Sequence, residues 1–298
     1  MNQKITILDA GMGKALKMQG VDIPETIWSA NALLVAPEKV QSIHEENILA
    51  GANMITTNTY GVIRSDLKKA GIENQFKTLN LQAAGLARAA IKATGKVVKI
   101  AGSLPPLNGS FRPDRVRPVE EIEALYREQA EILAPHVDVF LCETMSHINE
   151  AIAAARAARS TGKPVIVSFT LHEQNPGKLR SGQSLEDAIS GLGEVDLEGL
   201  SANCTLPERI FDAMPILAKS NLKYVGGYAN AFTHVPEDWL LDGEKITDGP
   251  LELRDDLSPE IYSKFVGQWI NQGATLVGGC CGTLPSHIAA IATSLRSQ

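Results

Sequence analysis

Short runs rich in Val, Ile and Leu alternate with longer, alanine-rich segments of helical period along the whole 298-residue chain. This alternation constrains the fold more than any other feature. A strand that leads into a helix must cross over and pair parallel with the next strand, so the pattern predicts repeated βα units around a parallel sheet. Eight strands are read, at residues 5–9, 53–57, 97–102, 137–142, 164–170, 198–203, 223–228 and 274–278. Helical segments are read at 37–50, 74–94, 118–135, 146–161 and 206–220. Eight such units in a chain of this length fit a (β/α)8 TIM barrel, whose typical size is roughly 250 residues. No Ser-, Pro- or charge-rich linker divides the sequence, so residues 1–298 are read as a single α/β barrel domain. Aromatic residues are 5% of the chain against 44% hydrophobic, so Ala, Val, Ile and Leu must build the interior, as in the layered core of a parallel barrel.

Two connections after strands are long: 103–117, which carries Phe111, Arg112, Arg115 and Arg117, and 229–257, which is rich in Asp and Glu. Barrel enzymes place specificity elements in such loops. The formal charge of -6 argues against nucleic acid as a partner, because phosphate binding needs clustered cations. With no signal-like apolar run at the start and no stretch of about 18 apolar residues, a cytoplasmic protein with no membrane partner is expected. Four cysteines are too few for a disulfide scaffold, which leaves core thiols, metal ligands or nucleophiles.

Their positions separate these roles. Cys204 ends the sixth strand in SANCT, and Cys280 with Cys281 ends the eighth in VGGCCGT. All three therefore lie at the C-terminal face of the barrel, where barrel active sites are built. Three protein ligands with an open fourth position is the catalytic arrangement for Zn2+, and a substrate sulfur could fill the opening. Coordination would deprotonate a thiol that is otherwise protonated at neutral pH, leaving it able to attack an electrophilic methyl group without a general base. Gly278, Gly279 and Gly282 would permit the backbone that aims adjacent cysteines at one ion. A vicinal redox disulfide is the competing reading of Cys280 and Cys281. The isolated Cys142 reads as a core thiol.

Asp9, Thr57 and Glu143 end the first, second and fourth strands at the same face. A zwitterionic substrate needs carboxylates for its ammonium, and hydroxyls or backbone N–H groups, such as those near Gly11 and Gly13, for its carboxylate. Helix capping by Asp9 and a helix-start role for Glu143 are the alternatives. Asn203 and Asn230 also stand at strand ends, in positioning roles. His147, His172, His234 and His287 are scattered singly and are read as surface or loop residues, as are Arg112 and Arg115.

The motifs LDAGMGKAL, AGANMITTNTY, FLCETM, SANCT and VGGCCGT together resemble the homocysteine S-methyltransferase family, over residues 5–291. The resemblance implies a zinc-dependent barrel that methylates L-homocysteine to methionine. It makes Cys204, Cys280 and Cys281 the Zn2+ ligands, and Asp9, Thr57 and Glu143, with Gly11 and Asn230, the receivers of the amino acid part. Two departures stand out: Ala10 follows Asp9 where the family commonly has glycine, and Tyr228-Ala229-Asn230 replaces Tyr-Pro-Asn.

The segment AGSLPPLNGSFRPD is similar to the third-strand loop of stand-alone members that use a sulfonium donor, S-methylmethionine or S-adenosylmethionine. No folate or cobalamin module is expected. Betaine, a separate corrinoid protein, and selenocysteine as acceptor remain alternatives, as does a non-catalytic zinc or redox-sensing barrel.

Overall fold

The structure, a computed structural model, describes residues 4–193, 195–246 and 248–297. All eight expected strands form: β1 (Thr6–Ile7), β2 (Met54–Thr56), β3 (Lys99–Leu104), β4 (Val139–Met145), β5 (Val165–Phe169), β6 (Gly199–Asn203), β7 (Tyr224–Ala229) and β8 (Leu276–Gly279). They pair in parallel in the order β1-β8-β7-β6-β5-β4-β3-β2, which is a (β/α)8 TIM barrel with one open joint between β1 and β2.

That joint is spanned largely by side chains. Asn53 N–H donates to the Ile7 carbonyl and Ile7 N–H donates to Asn53 Oδ1, both at 2.9 Å. Further along, Thr56 N–H donates to Asp9 Oδ2 at 2.9 Å. Two side-chain acceptors thus take the place of backbone carbonyls, which is why β1 is only two residues long although its apolar run is longer.

Inside the barrel, Leu8, Met54, Ala101, Val139, Leu141, Ile166, Tyr224, Tyr228 and Leu276 form one buried cluster. Helices cover the outside. The helix Ile148–Arg159 buries Ala151, Ala153, Ala154, Ala155, Ala157 and Ala158, and such small side chains let a helix lie close to the sheet. Other helices match the expected segments to within a few residues: Pro37–Ala50, Phe76–Thr94, Val119–Leu133 and Pro207–Leu217.

β4 runs further than its apolar pattern predicts, through Glu143 and Thr144 to Met145. Its pairing with β5 is irregular between Cys142 and Met145, where Thr144 adopts φ +62°. A polar residue at the mouth of a barrel interrupts the hydrophobic pattern without ending the strand. Among the described residues no helix is long and apolar enough to cross a membrane.

Candidate active site

The three cysteines that sequence places at strand ends meet in space. Cys204 follows β6 and Cys280 follows β8, with β7 between them; Cys204 N–H donates to the Tyr228 carbonyl at 3.2 Å and Cys280 N–H to that of Ala229 at 2.9 Å. All three Sγ atoms lie within 4.8 Å of one another, and Cys204 and Cys281 are 3.6 Å apart. Tetrahedral zinc with Zn–S bonds of about 2.3 Å sets its sulfurs about 3.8 Å apart, so this donor set fits the ion. All four cysteines are free thiols. Hydrogen bonds from the Cys204 and Cys280 thiols hold the Cys281 thiol well below its ordinary range, and the same contacts push Cys280 up.

The local backbone is unusual in the way such a cluster requires. Cys204 has φ +47° and Thr144 φ +62°, conformations that cost a non-glycine residue of order 1–3 kcal/mol. Asn203 braces this region: its Oδ1 accepts from Thr144 N–H at 2.7 Å and its Nδ2 donates to Thr144 Oγ1 at 2.9 Å. Gly282 has φ +82°, and a Cβ on Gly11 would sit 2.5 Å from the Cys280 carbonyl oxygen. Gly11 is therefore a packing requirement of the cysteine loop.

Asp9 and Glu143 are both buried, at 5% and 8% exposure. Asp9 is not a helix cap, since Gly11 precedes the helix Met12–Met18 without a side-chain bond; its carboxylate takes the Thr56 N–H and hydroxyl. Glu143 lies within β4, not at a helix start, and accepts from the hydroxyls of Ser103 and Tyr228. Burial pushes Asp9 up to about 7, against the Thr56 bonds. Burial likewise pushes Glu143 up to about 7, and the charge of Asp9 adds to this. Two carboxylates raised by burial in one cavity form a site a cation would relieve.

Asp9, Gly11, Thr57, Glu143, Cys204, Cys280 and Cys281 line one cavity of about 340 Å³. Thr57 Oγ1 is shared with Thr59 Oγ1 at 2.8 Å and accepts from Ser103 N–H at 3.1 Å. Asn230 is placed elsewhere: it is absent from the cavity lining, and its Oδ1 accepts from Phe232 N–H at 3.3 Å. No histidine lines the cavity among the described residues. Arg112 is not a solvated cation; it is 9% exposed, grips Asp114 and donates to the Asp238 carbonyl at 3.1 Å, tying the two long loops together.

Sequence reading missed the aromatic wall that packs beside the cysteines. Trp28, Tyr60, Phe111 and Trp239 line the cavity and meet edge to face, with Trp28 to Tyr60 at 6.2 Å, Trp28 to Trp239 at 5.9 Å and Phe111 to Trp239 at 5.7 Å between centroids. The four residues come from four separate connections, after β1, β2, β3 and β7, so no local motif announces it. Phe111 and Trp239 did lie in the two long connections.

A barrel whose mouth holds a three-thiol cup facing two buried carboxylates has the layout of an S-methyltransferase that activates a thiol. The chain belongs to the homocysteine S-methyltransferase family, whose sequence model matches residues 6–295. It is 29% identical to the homocysteine S-methyltransferase of Escherichia coli strain K12, over 97% of this chain and 94% of that protein. It is 24% identical to homocysteine S-methyltransferase 4 of Zea mays, over 97% of this chain and 89% of that one. Among solved structures, the metallated form of the homocysteine methyltransferase MmuM from Escherichia coli superposes with a TM-score of 0.82 at 26% identity, covering 98% of this chain and 97% of that one.

Proposed function

We propose that this enzyme transfers a methyl group from a sulfonium donor, S-methylmethionine or S-adenosylmethionine, to the thiol of L-homocysteine, giving methionine, with Cys204, Cys280 and Cys281 holding Zn2+. The observation that carries this reading is one cavity with a three-thiol cup at one end and the carboxylates of Asp9 and Glu143 within it. An acceptor with a sulfur and an ammonium a few bonds apart matches both. When bound, zinc would supply a Lewis-acidic centre that keeps the acceptor sulfur ionised at neutral pH yet nucleophilic.

The protein's own residues do the rest. Asp9 and Glu143 receive the ammonium, and its charge restores both carboxylates to their ionised forms. The acceptor carboxylate lies toward Thr57 and the Gly11 backbone. Trp28, Tyr60, Phe111 and Trp239 offer ring faces and edges to the donor; a sulfonium cation is attracted to an aromatic face, whereas the neutral thioether left after transfer is not. The wall thus favours substrate over product. In the transfer, the donor S–CH3 bond breaks with its electron pair staying on the donor sulfur, a new S–CH3 bond forms on the acceptor, and the thiol proton goes to solvent. Thiols of this kind persist in a reducing compartment, so we read the enzyme as a cytosolic one of methionine biosynthesis.

The test is metal analysis of reduced protein followed by detection of methionine from homocysteine with S-methylmethionine, S-adenosylmethionine and betaine in turn. About one zinc per chain and turnover with a sulfonium donor is expected. Turnover with betaine alone would overturn the donor assignment, and absence of zinc from fully reduced, active protein would overturn the metal assignment.

A further inference from the structure

Asp9 has a neighbour that does not belong to the cavity. The helix Pro37–Ala50 buries His44 and Asn47, which are three residues apart and share a face. Asn47 Oδ1 accepts from Ala10 N–H at 2.9 Å, and its Nδ2 donates to the Ile43 carbonyl at 2.9 Å, which fixes the residue following Asp9. His44 is fully buried, with Nδ1 3.9 Å from Asp9 Oδ2. Neither of its ring nitrogens has a hydrogen-bond partner among the described residues.

A buried imidazole with both nitrogens unpaired is costly, and hydrophobic packing would serve the same volume without that cost. The acceptor that Nδ1 faces has capacity to spare. A carboxylate offers about four lone-pair sites, and Thr56 takes up Asp9 through its N–H and its hydroxyl. At 3.9 Å the contact is too long for a hydrogen bond, and such bonds in empty active sites commonly shorten once substrate is bound.

We propose that His44 is a positioning residue for Asp9: when the acceptor's ammonium ionises Asp9, the neutral His44 Nδ1–H closes onto Oδ2 and holds the carboxylate toward the amino group. Burial, which pushes His44 down to about 4, keeps the ring neutral, so it contributes a donor and not a charge. No proton changes hands. The inference rests on Asp9 receiving the ammonium, and it assigns His44 to recognition of the amino group in particular.

The experiment compares kcat/KM for homocysteine with that for 4-mercaptobutanoate, which has the same chain and carboxylate but no amino group, at saturating S-methylmethionine. His44→Leu, a donor-free replacement, is expected to reduce the preference for homocysteine by roughly tenfold or more, through KM. His44→Asn, whose amide can stand where ring Nδ1 does, should retain it to within about threefold. Adding His44→Leu to Asp9→Asn should change the preference no further. If His44→Leu is insoluble, His44→Met gives a second donor-free variant of similar volume. Equal losses for both thiols in the Leu and Asn variants, or an unchanged preference in the Leu variant, would overturn the proposal. An unchanged preference in Asp9→Asn would instead overturn the placement of the ammonium, so the two failures are distinguishable.

Discussion

Replacing Glu143 with Gln should strengthen the fold and weaken the enzyme, and the two effects should separate with pH. The Glu143 carboxyl is pushed from 4.5 up to about 7 by burial. The folded chain therefore keeps a proton that the unfolded chain releases, so the stability contribution falls as pH rises from about 4.5 to about 7 and levels off above. By pH 8 this withholds on the order of 3 kcal/mol, and at pH 5 under about 1 kcal/mol. Gln is neutral throughout and can still accept from Ser103 or Tyr228. Relative to the parent, the substrate-free variant should therefore gain about 2 kcal/mol between pH 5 and pH 8, or roughly 4 °C in Tm for a chain of this size. Binding moves the other way: loss of one charged partner of the ammonium is worth roughly 1.5–3 kcal/mol, a rise in homocysteine KM of about 10- to 150-fold. Thermal unfolding at both pH values and steady-state kinetics at pH 8 read the two effects. A Tm change that is the same at pH 5 and pH 8, or an unaltered homocysteine KM, would refute the reasoning.

Cys281→Ser should drop bound zinc well below one per chain and reduce turnover by more than about a hundredfold, read by metal analysis and a methionine assay. Trp28→Ala should raise the KM for the sulfonium donor by roughly 5- to 30-fold while leaving that for homocysteine unchanged, if the aromatic wall holds the donor as proposed. Gly11→Ala places a methyl against the Cys280 carbonyl; it should cost about 1–3 kcal/mol in denaturant unfolding and weaken metal retention together.

The barrel was legible because its signal is periodic and repeats: eight apolar runs separated by alanine-rich helices leave few alternatives. The cysteine trio was legible because Cys280 and Cys281 are adjacent and glycine-flanked, and because the fold brings the end of β6 to the end of β8. What escaped were the supports. Ser103 and Glu143 are 40 residues apart, and Asn203 and Thr144 are 59 apart; nothing in either local sequence marks the pairing. His44 lies in SIHEENI, where a polar run on a helix reads as its solvent face, yet it is fully buried. Asn230 shows the opposite limit. It stands at a strand end like Asn203, but its side chain accepts from Phe232 N–H and does not line the cavity.

The narrow joint between β1 and β2 gives Asp9 a double duty. The carboxylate we propose to receive the acceptor's ammonium also carries part of the hoop, through Thr56. Ligand occupancy and architectural closure therefore draw on a single functional group, and a change at this position is at once a folding variant and a recognition variant. A mutational scan scored only by product formed would assign all of that loss to chemistry, whereas part of it belongs to the mechanical integrity of the ring.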